Sequence, residues 1–267
     1  MIKKIIHSCL KYFSKKIIPL DADIEEVKSL IESLHPVKTK HELIRIGSKG
    51  DGGYLIPNDL EGVNTCFSPG VSDNCSFELD LANNFGVTSY MCDWSVNDSP
   101  ILHDNLIFKK KYLGIINNSK YLRLESWYDS LKPSNDSILQ MDIEGSEYNV
   151  ILDTNNQTLS KFRIIIIEFH DLDMLFNQIG FRTISSVLEK LLINFRVVHI
   201  HPNNCCSSYE YNGIEIPRVM EITFLNKNRI DSFESVTEFP HKLDIDNTDN
   251  NSIILPRNWY SKINSKT

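Results

Sequence analysis

Residues 137–146, SILQMDIEGS, and residues 163–171, RIIIIEFHD, are each an apolar run of strand length that stops abruptly at acidic residues. Such a run suits a strand covered on both faces, as in a parallel sheet under helices. In sheets of that kind ligands bind in the crevice outside the strands' carboxyl ends. Two neighbouring strands deliver Asp142, Glu144, Glu168 and His170 to one edge, and period-2 alternation puts each pair on one face of its strand. Carboxylates with one imidazole point to a divalent cation, with Asp142, Glu168 and His170 as the expected ligands of Mg²⁺ or Mn²⁺. A competing reading gives Asp142 and Glu144 to capping the helix that starts near Ser146, and leaves Glu168 and His170 as a local hydrogen-bonded pair.

Outward from these strands, the pattern alternates. Strands are expected at 63–67, 87–93, 112–116, 195–201 and 217–225, and helices at 74–85, 101–110, 122–131, from Ser146, and over 173–193. An earlier helix over 24–34 starts at Asp23, with Glu26 in capping-box register, and is closed by Pro36. Residues 43–57 read as a glycine-dense turn running into a short strand. This alternation predicts an α/β fold, a largely parallel sheet with helices on both faces. The last two strands are joined by a polar loop without a helix, which lets them pair antiparallel at one edge. One domain over 41–230 is expected, with a helical extension at 1–40 and a C-terminal extension at 231–267 docked on it through Trp259 and Tyr260.

Composition narrows the function classes. The chain has 267 residues, 41% hydrophobic and 24% charged, and a net charge of −7 that argues against a general nucleic-acid binder. No apolar run is long enough to cross a bilayer. Six cysteines without C-x-x-C spacing fit a reducing, cytoplasmic setting. Residues 1–20 carry five lysines and no acid, with apolar residues at helical spacing. They read either as a basic amphipathic helix on an anionic membrane surface, or as a helix packed on its own domain or a second subunit.

The first strand runs into Phe67–Asn74, FSPGVSDN, directly before a helix. The G-x-G-x-x-G phosphate fingerprint is missing: Gly70 stands alone, with Ser72 and Asp73 where further glycines would favour a pyrophosphate. A nucleoside ligand without phosphate fits better. The second strand ends at Asp93, about twenty residues on, where an acid accepts hydrogen bonds from ribose hydroxyls. Ribose without phosphate points to S-adenosylmethionine.

GDGGY at 50–54, SPGVSDN at 68–74, MDIEGSE at 141–147, IEFHD at 167–171 and HIHPNN at 199–204 resemble the FkbM-type S-adenosylmethionine-dependent methyltransferases. That resemblance implies a class I methyltransferase (Rossmann-like) fold, a seven-stranded mostly parallel sheet with an antiparallel edge strand. It implies methylation of a hydroxyl on a sugar, either nucleotide-activated or part of a surface-polysaccharide precursor. By position, Ser68, Gly70 and Ser72 face the cofactor and Asp93 its ribose. Asp51, Gly53, Tyr54 and Asp142 are further neighbours of the cofactor or the acceptor. Asp142, His170 and His201 are the catalytic candidates, with His201 as general base or sugar contact and His199 structural. Two other readings remain open: a metal-dependent hydrolase using Asp142, Glu144, His170, His199 and His201, and a non-catalytic glycan-binding scaffold recruited by residues 1–20.

Overall fold

The computed structural model describes residues 21–134 and 136–262; the basic amphipathic helix expected over residues 1–20 lies outside the described residues. Seven strands build the central sheet: β1 Thr65–Pro69, β2 Thr88–Cys92, β3 Leu106–Lys109, β4 Ser137–Met141, β5 Phe162–Phe169, β6 Phe195–Pro202 and β7 Met220–Asn226. Their spatial order is β3-β2-β1-β4-β5-β7-β6. All pairs are parallel except those of β7, which runs antiparallel to both β5 and β6. This is the class I methyltransferase arrangement. The antiparallel strand lies one position in from the edge, because a strand returning by a hairpin-like connection needs no crossover helix and slots between β5 and β6.

The isoleucine run explains why the sheet is buried on both sides. Ile164, Ile165, Ile166 and Ile167 are all fully buried. Ile165 and Ile167 join the core that holds Phe67 and Trp127, while Ile164 and Ile166 join a second core with Phe77 and Leu81. Period-2 alternation thus feeds two cores from one strand. The longer helices are α1 Ile24–Ser33, α2 Ser76–Phe85, α3 Leu124–Leu131, α4 Glu147–Asp153 and α5 Gln178–Asn194, with a single helical turn at Asn156–Leu159. Asp23 caps α1, its Oδ1 accepting from Glu25 N at 2.8 Å.

Several elements differ from expectation. No helix forms over 101–110; residues 106–109 are strand β3 instead. Leu102 is 90% exposed, so a helix there would have no continuous face to bury, whereas Leu106 and Phe108 pack beside Met91 in alternation. The strand expected at 112–116 is shorter and stands outside the main sheet, Tyr112–Gly114 pairing with Tyr121–Arg123. The long helix over 173–193 is split into a 3₁₀ turn at Leu172–Phe176 and α5, which Asn177 caps. Residues 43–57 form a full antiparallel hairpin, Leu43–Gly47 with Gly53–Pro57, and the polar loop after β6 holds a second one, Ser208–Tyr211 with Ile214–Pro217.

The chain builds β1, β2 and β3 outward in one direction and then returns to lay β4 on the other side of β1. That reversal opens a crevice above the ends of β1 and β4, where an open α/β sheet holds its ligand.

Candidate functional site

Two tight turns frame the crevice. After β1, Gly70 takes φ +92°, and its N–H donates to Cys92 O at 2.9 Å. A Cβ at this position would lie 1.5 Å from the Asp142 carbonyl oxygen, so only glycine lets the end of β4 approach the end of β1. After β4, Glu144 and Gly145 both take positive φ and turn the chain into α4. The freed amides of Ile143 and Gly145 donate to Glu147 Oε1, each at 3.2 Å. Asp142 and Glu144 therefore do not cap α4: the acid that closes the turn is Glu147, which leaves the Asp142 carboxylate free.

A cavity of about 580 Å³ opens over these turns, lined by Asp51, Tyr54, Gly70, Ser72, Asp93 and Asp142 together with Glu78, Gln140 and Tyr112. Asp93 holds the loops together at its rim. Its Oδ2 accepts from Ser72 N at 2.9 Å, and its Oδ1 from Ser95 N and Ser95 Oγ, both at 2.7 Å. One of its four lone-pair sites is left for a ligand. Under the floor, Gln140 links Ser68 Oγ at 2.7 Å to the Tyr54 hydroxyl at 3.1 Å.

His170 stands where β5 ends. Its Nε2 faces Glu144 at 3.5 Å, Glu168 at 3.6 Å and Asp142 at 3.9 Å, and its Nδ1 lies 3.0 Å from Glu147 Oε1. The ligand atoms of Asp142, Glu147 and His170 lie within 4.8 Å of one another. Burial pushes the Asp142 carboxyl up to about 7, with Glu144, Glu147 and Asp51 adding to the rise and His170 opposing it. Glu168 is also raised, by burial and by Asp142, Glu221 and Asp51. For His170 burial works downward, but the Glu147 hydrogen bond and the surrounding carboxylates outweigh it and the ring is held above its ordinary value.

Residues 118–196 match the model of the Methyltransferase FkbM domain, a stretch that contains both acidic strand ends and the Glu147 turn. The match covers 79 of the chain's 267 residues. No curated protein matched the chain. Among solved structures it is similar to the precorrin-6y C5,15-methyltransferase from Geobacter metallireducens GS-15, at 8% identity and a TM-score of 0.31, over 79% of this chain and 94% of that chain.

Not every expected residue reaches the cavity. Asp51, Tyr54, Gly70, Ser72, Asp93 and Asp142 line it. Ser68 is sealed beneath the floor against Glu78 and Gln140, and Gly53 is buried in the hairpin, where a Cβ would meet Ser48 O at 2.1 Å. His170 lies near both Asp142 and Glu168, at 3.9 and 3.6 Å, but among the described residues the cluster whose ligand atoms all lie within 4.8 Å of one another holds Glu147 in place of Glu168, and neither Glu168 nor His170 lines the cavity. His201 does not join them: it is on β6, at the far edge of the sheet, with Nε2 at 3.2 Å from Asn247 Oδ1 and Nδ1 at 3.6 Å from Asp244. Burial lowers its pKa. His199 bonds Asp244 at 2.8 Å, so the ligand set of the hydrolase reading is split between two places. Asn203 donates to Glu168 Oε1 at 3.1 Å, and Asn204 clamps the backbone of Thr248 and Asn250.

Glu78 and Gln140 were missed by sequence reasoning, and Glu147 was noted only within the MDIEGSE stretch, without a role in the site. Glu147 alone carried a usable signal: an acid just past a glycine turn, positioned to take up that turn's free amides.

Proposed function

We propose that this protein is an S-adenosylmethionine-dependent O-methyltransferase whose acceptor is a sugar hydroxyl. The observation that supports this most is that Asp142, which lines the cavity, meets His170, which stands behind that lining, at 3.9 Å within the stretch matching the FkbM model. Gly70, Ser72 and Asp93, with Asp51 and Tyr54 opposite, are the residues to hold the cofactor. S-adenosylmethionine supplies a methyl group already activated as a sulfonium. What remains for the protein is to align an acceptor oxygen and take its proton. Alignment alone is worth roughly 7–11 kcal/mol when reacting atoms are held about 3 Å apart. Asp142 and His170 are the groups to orient the hydroxyl, and in the absence of a cation His170 is the one to accept its proton.

The donor set fits a divalent cation. Asp142 Oδ1, Glu147 Oε2 and Glu168 Oε2 are buried with no hydrogen-bond partner, and a buried unpaired carboxylate oxygen is costly unless a cation or proton meets it. Asp142, Glu168 and His170 would hold Mg²⁺ or Mn²⁺. A cation there would lower the pKa of a coordinated hydroxyl.

The lining bears on the acceptor's charge. Asp51, Asp73, Glu78, Asp93, Asp142 and Glu144 line the cavity, and no lysine or arginine does among the described residues. Arg218, beside the turn that follows β5, is flanked by Asp171 and Asp173. This favours a phosphate-free glycan over a nucleotide-activated sugar. Calorimetric titration with S-adenosylmethionine, followed by a screen of phosphate-free glycans for a gain of one methyl mass, tests the proposal. Binding that weakens in Asp93→Ala, and turnover that is lost with chelator and restored by Mn²⁺, are the expected results. Absence of binding at millimolar cofactor would defeat it.

A further inference from the structure

We propose that Glu147 is a positioning residue that fixes His170 in the tautomer protonated on Nδ1, so that the lone pair of Nε2 is turned toward Asp142, Glu144 and Glu168. Glu147 is fully buried, and its Oε1 lies 3.0 Å from His170 Nδ1. That same oxygen already accepts the backbone N–H groups of Ile143 and Gly145 at 3.2 Å. A backbone N–H can only donate, so Oε1 is an acceptor toward the imidazole as well, and the ring proton sits on Nδ1. A neutral imidazole carries one ring proton, which leaves Nε2 bare.

The next residue of α4 holds the same histidine from its other end. The Tyr148 hydroxyl donates to His170 O at 2.5 Å. Ring and backbone of the β5 terminus are thus both seated on the first turn of α4, which the Glu144–Gly145 reversal delivers there. The usefulness of a bare Nε2 rests on the methyl-transfer reading, since it is the atom to take a hydroxyl proton or to meet a cation. The tautomer itself does not depend on that reading.

The test uses ¹⁵N-labelled full-length protein at a pH where the ring is neutral. Long-range ¹H–¹⁵N correlation separates the two ring nitrogens, and the His170 signals are those lost in His170→Ala. The wild type is expected to show a protonated Nδ1 and a bare Nε2. Glu147→Gln keeps an oxygen acceptor and should retain that pattern, whereas Glu147→Met, which has none, should move the ring to a majority Nε2–H population. A purely structural role would lower stability in both variants without changing which nitrogen carries the proton. A wild-type ring protonated on Nε2 would overturn the proposal even if Glu147→Met fails to fold, as would a Met variant that keeps Nδ1–H. Calorimetry with S-adenosylmethionine on the same samples reports separately on the methyltransferase reading.

Discussion

Glu78 sits with its carboxyl buried under the cavity, hydrogen-bonded by Ser68, and burial pushes it up to about 7 from an ordinary 4.5. Between those two values the folded protein keeps a proton that the unfolded chain has released. Stability is therefore fully present below about pH 4.5 and is lost as pH rises toward 7, with Glu78 contributing a loss of about 3 kcal/mol. Glu78→Gln removes the titration, so urea unfolding at pH 5 and pH 8 should show a smaller drop for the variant. An equal drop would mean that Glu78 is not protonated in the fold. For catalysis, Asp142→Asn is expected to keep the turn, because the Glu147 oxygen closes it, yet to lower methyl transfer by roughly 10²-fold or more. Measured turnover within a few-fold of wild type would remove Asp142 from the chemistry. Asp142 and His170 were readable in the sequence because each ends an unmistakable apolar strand. The turn-closing place of Glu147 was readable from the glycine before it, but its pairing with His170 was not, since His170 lies in another strand and the pairing exists only once Glu144 and Gly145 reverse the chain. His201 was misplaced for a related reason: alternation tells which face a side chain takes but not that Asp244 and Asn247 return from the chain's last segment to cover it.

Between elements, the closest approach in the site is that of the β1 and β4 ends at Gly70. Gly70→Ala would put a methyl group 1.5 Å from the Asp142 carbonyl oxygen at φ +92°, forcing the two strand ends apart. A loss of about 3 kcal/mol or more is expected in chemical denaturation, together with weaker cofactor binding. Gly86→Ala is the control: this glycine also has positive φ, at the end of α2, but nothing lies within 4 Å of the added carbon. It should cost only about 1 kcal/mol. Equal costs at the two positions would show that backbone conformation, and not strand approach, dominates. The strong strands were legible for the reason that makes them stable, since β5 is covered on both faces and needs no polar alternation. Strand β3 was not. It has only four residues, of which Leu106 alone is fully covered, and such a short edge segment carries too few turns of either period to separate strand from helix.

Across the whole molecule, the sheet face under the hairpin Leu43–Gly47/Gly53–Pro57 gathers acids from several strands. Glu168 of β5 and Glu221 of β7 stand directly opposite each other, and burial pushes Glu221 up to about 8. The C-terminal segment closes over this face: Asn247 donates to Glu221 at 2.6 Å, Asp244 meets both β6 histidines, and Trp259 is buried in the main core with its indole N–H on Glu215 O at 3.1 Å. Asp142, Glu168 and Glu221 are all raised, so each adds stability at low pH and withdraws it as pH climbs, Asp142 through about 7 and Glu221 through about 8. A divalent cation bound by Asp142, Glu168 and His170 would reverse that trend, because it competes with protons for the same oxygens and binds the folded state alone. Thermal unfolding with and without millimolar Mn²⁺ should then give a clear rise in Tm at pH 8, above the value of about 7 to which Asp142 is raised, and little or none at pH 5, where a proton already occupies that carboxyl. Asp142→Asn should abolish most of the rise at pH 8. A rise of equal size at both pH values, or one that survives in Asp142→Asn, would mean that the cation acts elsewhere on the surface and that protons alone satisfy the buried oxygens.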